Sequence, residues 1–211
     1  WAELKKRFGD KPKFISDKTR ERQKADISAD VLSELCRNLP AARNQNLAPI
    51  ILLMSGARVS ELPSVNIFTN HNGSVVIKVE TKKLGCAKKS VPQSRRIEYA
   101  AGTKEARQLS AISAAFGRAP FAEINVATFR SNWRAAKKKI EAKNPGVHLP
   151  DVHSFRHAFA TSERQRIAGE MKQIYGANWR ENEAQREYAK EELARKLGHS
   201  SPKTSQIYGH R

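Results

Sequence analysis

The feature that most constrains this chain is a change of period in its middle. Val65-Asn-Ile-Phe and Ser74-Val-Val-Ile-Lys-Val-Glu-Thr81 are β-rich runs on either side of His71-Asn-Gly73, and an Asn-Gly pair tolerates the positive φ values that a tight hairpin turn demands. A hairpin is predicted there. Beyond it, Lys82-Lys-Leu-Gly-Cys-Ala-Lys-Lys89 reads as a longer turn that projects lysines, and Ser90-Val91-Pro92 as a third strand. On both sides of this stretch the period is helical. Ahead of it, Ser28 or Asp26 caps a helix carrying Val31, Leu32 and Leu35. Pro40 helps start the next, with Leu47, Ile50, Ile51 and Met54 buried and Gly56 as its breaker.

Helical spacing returns from Thr103 onward. It is clearest where Val126, Phe129, Trp133, Ala136 and Ile140 recur at three- and four-residue steps, up to the stop at Asn144-Pro-Gly146. Such a stripe is a core stripe before it is anything else. One further helix is expected from His153 to about Arg166, and another from Glu183 to Leu197, closed by Gly198 in the left-handed conformation. A short last helix would start at Ser201-Pro202. The fold class that follows is mainly α with a small antiparallel β-sheet (α+β).

Charge narrows the function. Lys and Arg number 39 against 21 Asp and Glu in 211 residues, a formal +18, with a pI near 10.2. A surface so basic attracts a polyanion, and nucleic acid is the leading partner; ribosomal proteins and membrane-surface binders share that balance. No apolar run reaches the roughly 18 residues of a membrane span. The best, Leu47 to Met54, is short and contains Pro49, so a soluble protein with no membrane partner is expected. Cys36 and Cys86 are too few for a disulfide framework or a Cys-rich zinc site, which favours a reducing, cytoplasmic setting. Residues 1–24 are charged and weakly patterned, and the chain opens at Trp1 without a Met. They read as a basic linker, or as the remnant of a missing N-terminal DNA-binding domain.

Several polar residues stand where they can meet. His153 and Arg156 are three apart, so on a helix an imidazole and a guanidinium share one face. Arg58 follows the helix break at Gly56, with Glu61 three residues on as its ion-pair partner. His199 follows the helix stop Gly198, and Tyr208 lies beyond a Ser-Pro helix start. Each fragment alone has a plain alternative: a surface His and Arg, or a structural Arg58–Glu61 pair.

Taken together, Gly56-Ala-Arg58-Val-Ser-Glu61-Leu62, His153-Ser-Phe-Arg156-His157-Ala-Phe-Ala-Thr161, Leu197-Gly-His199-Ser-Ser and Ile207-Tyr208-Gly-His210 resemble the catalytic domain of the tyrosine recombinases, the integrase family of phages and mobile elements. The resemblance covers about residues 27–211, within a catalytic domain placed at 25–211. It implies that Tyr208 attacks a scissile phosphate, leaving a covalent 3′-phosphotyrosyl link and a free 5′-hydroxyl, without ATP, metal or other cofactor. Arg58 and Arg156 would hold the non-bridging oxygens and offset the charge of the transition state. His153 would take the phenolic proton, Lys82 would protonate the departing 5′-oxygen, and His199 would donate a hydrogen bond to the phosphate. Glu61 would support that geometry. Lys83, Lys88 and Lys89 compete with Lys82 for the acid's place.

The partners implied are double-stranded DNA and other protomers in a synaptic complex, in the cytoplasm at the nucleoid. Three departures from the family pattern stand out. Ala57 replaces the usual Leu, the chain ends three residues after Tyr208, and the path from Glu163 to Lys196 is longer than usual. That last departure is read as a helical insertion around 163–192 carrying Tyr175, Trp179 and Tyr188. Rival readings are a type IB topoisomerase, a catalytically inactive DNA-binding module of the same fold, and an RNA-binding protein. The last lacks both an aromatic-rich stacking strand and a Gly-rich clamp loop.

Overall fold

The computed structural model describes residues 27–81, 94–144 and 149–199. Helix α1, Ala29–Asn38, starts at Ser28, whose hydroxyl accepts from the Val31 N–H, satisfying one of the donors that every helix start leaves open. The next helix does not begin near Pro40. A 3-10 turn over Ala42–Leu47 comes first, with Arg43 and Asn44 at φ 55° and 58°. The Asn44 side chain donates to the Pro120 carbonyl at 2.6 Å and so fixes this kink. Helix α2, Ala48–Ser55, then starts with Pro49 in its first turn, where a missing N–H costs nothing.

Ala48, Ile51, Leu52 and Met54 are all buried. A helix apolar on every side belongs in the middle of a core, and α2 packs against α1 and, farther along the chain, α5 (Ser154–Tyr175). It closes at Gly56, φ 58°, whose N–H reaches back to the Leu52 carbonyl at 3.0 Å.

A second 3-10 turn, Val59–Ser64, leads into the sheet. Strands β1 (Val65–Thr69), β2 (Val75–Glu80) and β3 (Ser94–Tyr99) pair antiparallel in the order β1-β2-β3, with Ile67, Ile77 and Ile97 in line across them. The hairpin of β1 and β2 is the one the Asn-Gly pair announces. The third strand is described over Ser94–Tyr99, and Ser90–Pro92, where the sequence predicts a strand, fall outside the described residues. Its inward positions are Arg95, Ile97 and Tyr99. A charged residue on the buried face breaks the apolar alternation by which strands are recognised.

Helix α3, Lys104–Phe116, is capped by Thr103, and α4, Val126–Lys143, by Asn125. In α4 the buried residues Phe129, Trp133, Ala136 and Ile140 follow the expected stripe, and Trp133 meets Phe155 edge-on at 5.3 Å. Helix α5 runs to Tyr175, well past Arg166. Ile167 and Met171, four apart, extend its buried face, and Gly176 stops it. A short turn, Trp179–Glu181, precedes α6, Glu183–Leu197, which packs on α5 and ends at Gly198 as expected. Ile167, Met171, Trp179 and Leu193 join the same core as Leu35, Ile51, Ile77 and Phe155. The result is the expected class, mainly helical with one small antiparallel sheet. Among the described residues no helix is long and apolar enough to cross a membrane.

Candidate active site

Three chain segments far apart in sequence meet at Arg156. The α5 helix carries this residue with only 1% of its surface exposed, and a buried guanidinium must find partners. Its Nη1 donates to the Gly56 carbonyl at the end of α2. Its Nη2 donates to the Leu197 carbonyl at the end of α6 (2.5 Å) and lies 3.0 Å from His199 Nε2. Helix C-termini expose carbonyls that have no partner in the helix itself and carry a partial negative charge. Arg156 therefore binds two helix ends at once.

The two glycines at those ends are closely approached by other side chains. Gly56 has φ 58°, and a Cβ there would stand 2.3 Å from Phe159 Cδ1. Gly198 has φ 64°, and a Cβ would stand 3.1 Å from both Arg95 Nη1 and Thr81 Oγ1.

Just past Gly56 the chain places Arg58 and Glu61. The Glu61 carboxylate is fully buried and accepts from the Arg58 side chain at 2.8 Å on one oxygen. Its other oxygen accepts from the Arg58 backbone N–H at 2.8 Å and from Arg95 Nη2 at 2.9 Å. Burial pushes this carboxyl up, but the Arg95 charge and the hydrogen bonds from Arg58 and Arg95 outweigh that, and its pKa lies below the ordinary value. Glu61 is thus ionised between two arginines. Arg58, with its side chain 25% exposed, is the open member of the trio, whereas Arg95 is closed in at 1%.

His153, His157 and His199 all have pKa values lowered from the ordinary one and are neutral at neutral pH. Burial lowers His199 to about 3, and the Arg156, Arg58 and Arg95 charges push the same way. A guanidinium can only donate, so Nε2 of His199 accepts from Arg156 and its ring proton sits on Nδ1. Any hydrogen bond His199 gives in this arrangement comes from Nδ1. His153 stands at the N-cap of α5, on the solvent-exposed surface. Crowding by the surrounding protein lowers its pKa first, and the Arg156 and Arg58 charges lower it further. Its ring meets that of His157 edge-on at 4.9 Å. Burial, then His153 and Arg156, lowers His157 to about 4. A neutral, exposed imidazole is the form a proton acceptor needs.

Of the residues singled out in the sequence, Arg58, Glu61, Arg156 and His199 fall in one cluster, with His153 beside it at the start of α5. Lys82 and Tyr208 lie outside the described residues, as do Lys83, Lys88 and Lys89. The Arg156 guanidinium makes a buried tie between Gly56, Leu197 and His199. The sequence reading missed Arg95 and His157. His157 had a signal, since it lies four residues from His153 on one helix. Among the described residues no group of His, Cys, Asp and Glu is arranged to hold a metal ion.

A mainly helical body edged by a three-stranded sheet is the fold this chain shares with solved integrase structures. The Tn1549 transposon integrase, solved in complex with transposon right end DNA, superposes with a TM-score of 0.53 at 16% identity, over 89% of this chain and 60% of that one. The same integrase with a circular intermediate DNA gives 0.50 at 16% identity, over 86% and 59%. XerA recombinase gives 0.48 at 20% identity, over 89% and 60%. This chain spans about 60% of the length of the integrase structures it resembles. No protein-family model matches the sequence, and no curated protein does. At such identities the likeness is one of fold.

Proposed function

We propose that this chain is the catalytic domain of a site-specific DNA recombinase or integrase, which cuts and rejoins strands through a covalent 3′-phosphotyrosyl intermediate. The observation that carries the proposal is the meeting of Arg58, Arg156 and His199, drawn from three separate segments, in one cationic cluster organised by buried hydrogen bonds. Structural proteins have little use for two buried guanidinium groups, each of which is costly to remove from water. An enzyme that must offset charge on a phosphate does.

In this reading the phenolic oxygen of Tyr208 attacks phosphorus and the bond to the 5′-oxygen breaks. The phenolic proton passes to His153, and Lys82 supplies a proton to the departing 5′-oxygen. A 5′-hydroxyl from another strand then attacks the phosphotyrosine and releases Tyr208, so the energy of the phosphodiester is kept throughout. Arg58, being partly exposed, meets a non-bridging oxygen directly. Arg156 contributes its charge from within and holds His199 in place. Acid-base help of this kind accelerates a step by roughly 10² to 10⁴. The partners are duplex DNA, drawn in by the formal charge of +18, and further copies of the chain in a synaptic complex.

The test is a suicide duplex with a nick near the cleavage point, from which the short 5′-hydroxyl fragment diffuses away. A tyrosyl-DNA peptide at Tyr208, absent in Tyr208→Phe at nearly unchanged DNA affinity, is the expected result. Duplex binding with no adduct leaves a non-catalytic DNA-binding module. An adduct that persists in Tyr208→Phe removes the nucleophile assignment.

A further inference from the structure

We infer that Arg95 is a positioning residue of this site, a third arginine that fixes Glu61, through it aims Arg58, and gives the cluster its second net positive charge. The inference rests on the proposed strand-transfer reading. Arg95 lies on β3 opposite Val79 and is 3% exposed, so it touches neither solvent nor a DNA backbone. Its Nη2 donates to Glu61 Oε2 at 2.9 Å and lies 3.5 Å from the Gly56 carbonyl. That bond occupies Oε2, together with the Arg58 backbone N–H, and leaves Oε1 turned to the Arg58 guanidinium. The carboxylate is held from behind by one arginine and holds the other in front.

Charge supplies the second reason. Arg58 and Arg95 share one carboxylate, Glu61, Arg156 adds a third guanidinium, and His199 and His157 are neutral at pH 7. Among the described residues the cluster thus carries two positive charges. A phosphodiester bears one negative charge, and attack by a deprotonated phenol adds a second in the pentacoordinate transition state. Without Arg95, Glu61 would cancel Arg58, and Arg156 would be the one uncompensated guanidinium left among the described residues of the cluster. Fixed charge that strengthens its interaction as the substrate's charge grows is what accelerates a step.

Geometry adds a third. Nε and Nη1 of Arg95, and Oγ1 of Thr81, are buried without a hydrogen-bond partner among the described residues. Both Nη1 and Oγ1 face Gly198, next to His199. The Arg95 guanidinium thus also stands beside the helix end that carries His199.

The test compares the parent chain with Arg95→Gln on the suicide duplex, once with a phosphodiester and once with a methylphosphonate at the cleaved position. A methylphosphonate has no charge on its non-bridging atoms, so its transition state is one charge poorer. Arg95→Gln is expected to slow adduct formation about 10²-fold on the phosphodiester, with duplex affinity unchanged. On the methylphosphonate the loss falls below about fivefold, because the missing charge has less to offset. Equal losses on both substrates, which general loosening of the fold would produce, overturn the inference. So does a parent-like rate on the phosphodiester.

If Arg95→Gln does not fold, Arg95→Lys carries the test. It keeps the charge but not the planar fork, so it should retain the parent's phosphodiester preference while forming adduct at least about fivefold more slowly. A parent-like rate there refutes the positioning role.

A readout that needs no catalysis separates this inference from the functional reading. The unfolding midpoint should rise from chloride to sulfate at equal ionic strength, and the rise should shrink by half or more in Arg95→Gln. If the parent forms no adduct, the functional reading fails while the sulfate comparison still decides for or against Arg95's charge. An equal rise in both proteins refutes it.

Discussion

Replacing Gly56 by alanine perturbs the fold and the site through one methyl group. The residue has φ 58°, a left-handed conformation that costs an L-residue with a Cβ about 1–2 kcal/mol. The new Cβ would lie 2.3 Å from Phe159 Cδ1 and 2.9 Å from Cε1 and Cγ, against about 3.5–4.0 Å for an ordinary carbon contact. The ring must therefore retreat by more than about 1 Å. It is 3% exposed, on a central helix, and has nowhere to go. Overpacking of this kind costs about 1–3 kcal/mol. The sum is about 2–5 kcal/mol, which for a chain of this size lowers the melting temperature by about 4–20 °C.

Thermal and urea unfolding of Gly56→Ala, alone and combined with Phe159→Leu, separates the two contributions. The smaller side chain should recover about 1–3 kcal/mol as a coupling energy and leave the backbone strain in place. The carbonyl of residue 56 is also the acceptor for Arg156. Adduct formation by the folded fraction should therefore drop more than duplex affinity does. A melting temperature within 2 °C of the parent, or no coupling to Phe159, would refute the reasoning about close approach at this glycine.

Three further expectations concern charge. Glu61→Gln leaves Arg95 buried beside Arg58 with no carboxylate between them, and should cost about 3–5 kcal/mol. Arg58→Ala removes the half-open partner and should cost about 1 kcal/mol; similar losses from both in thermal unfolding would deny Glu61 its bridging role. His157 and His199 are held at about 4 and about 3, so the unfolded chain binds more protons than the folded one below about pH 6.5. Stability is then full above that pH and falls as the pH drops. Between pH 7 and pH 5 urea unfolding should register a loss of about 2–4 kcal/mol, and a flat profile would contradict the neutral state assigned to these rings. Duplex affinity should decline steeply with salt, because each phosphate contact releases counterions, and a weak salt response in filter binding would argue against a DNA partner.

The parts of this molecule that are legible in its sequence are those set by local rules. The Ser28 cap, the Asn-Gly hairpin, the α4 stripe and the Gly198 stop each depend on a few neighbouring residues. Where a distant contact decides, local rules err. The turn ahead of α2 is fixed by Asn44 reaching Pro120, and α5 continues past Arg166 because Ile167 and Met171 find the core. The site divides the same way. Arg58, Arg156 and His199 announce themselves through motifs, but no motif says that Arg156 binds the backbone at Gly56 and Leu197, since carbonyls leave no trace in a sequence.

Arg95 is the instructive omission. Ile97 and Tyr99 are the apolar members of Ser94–Tyr99, and a period of two puts Arg95 on their face and Arg96 on the other. A strand whose inward row begins with arginine needs an internal carboxylate, and Glu61, assigned only to Arg58 by its spacing, is the acidic residue it meets. Had the strand been placed by its inward row and its charge then asked for a partner, the third arginine of the cluster would have followed from the same alternation that located Ile97.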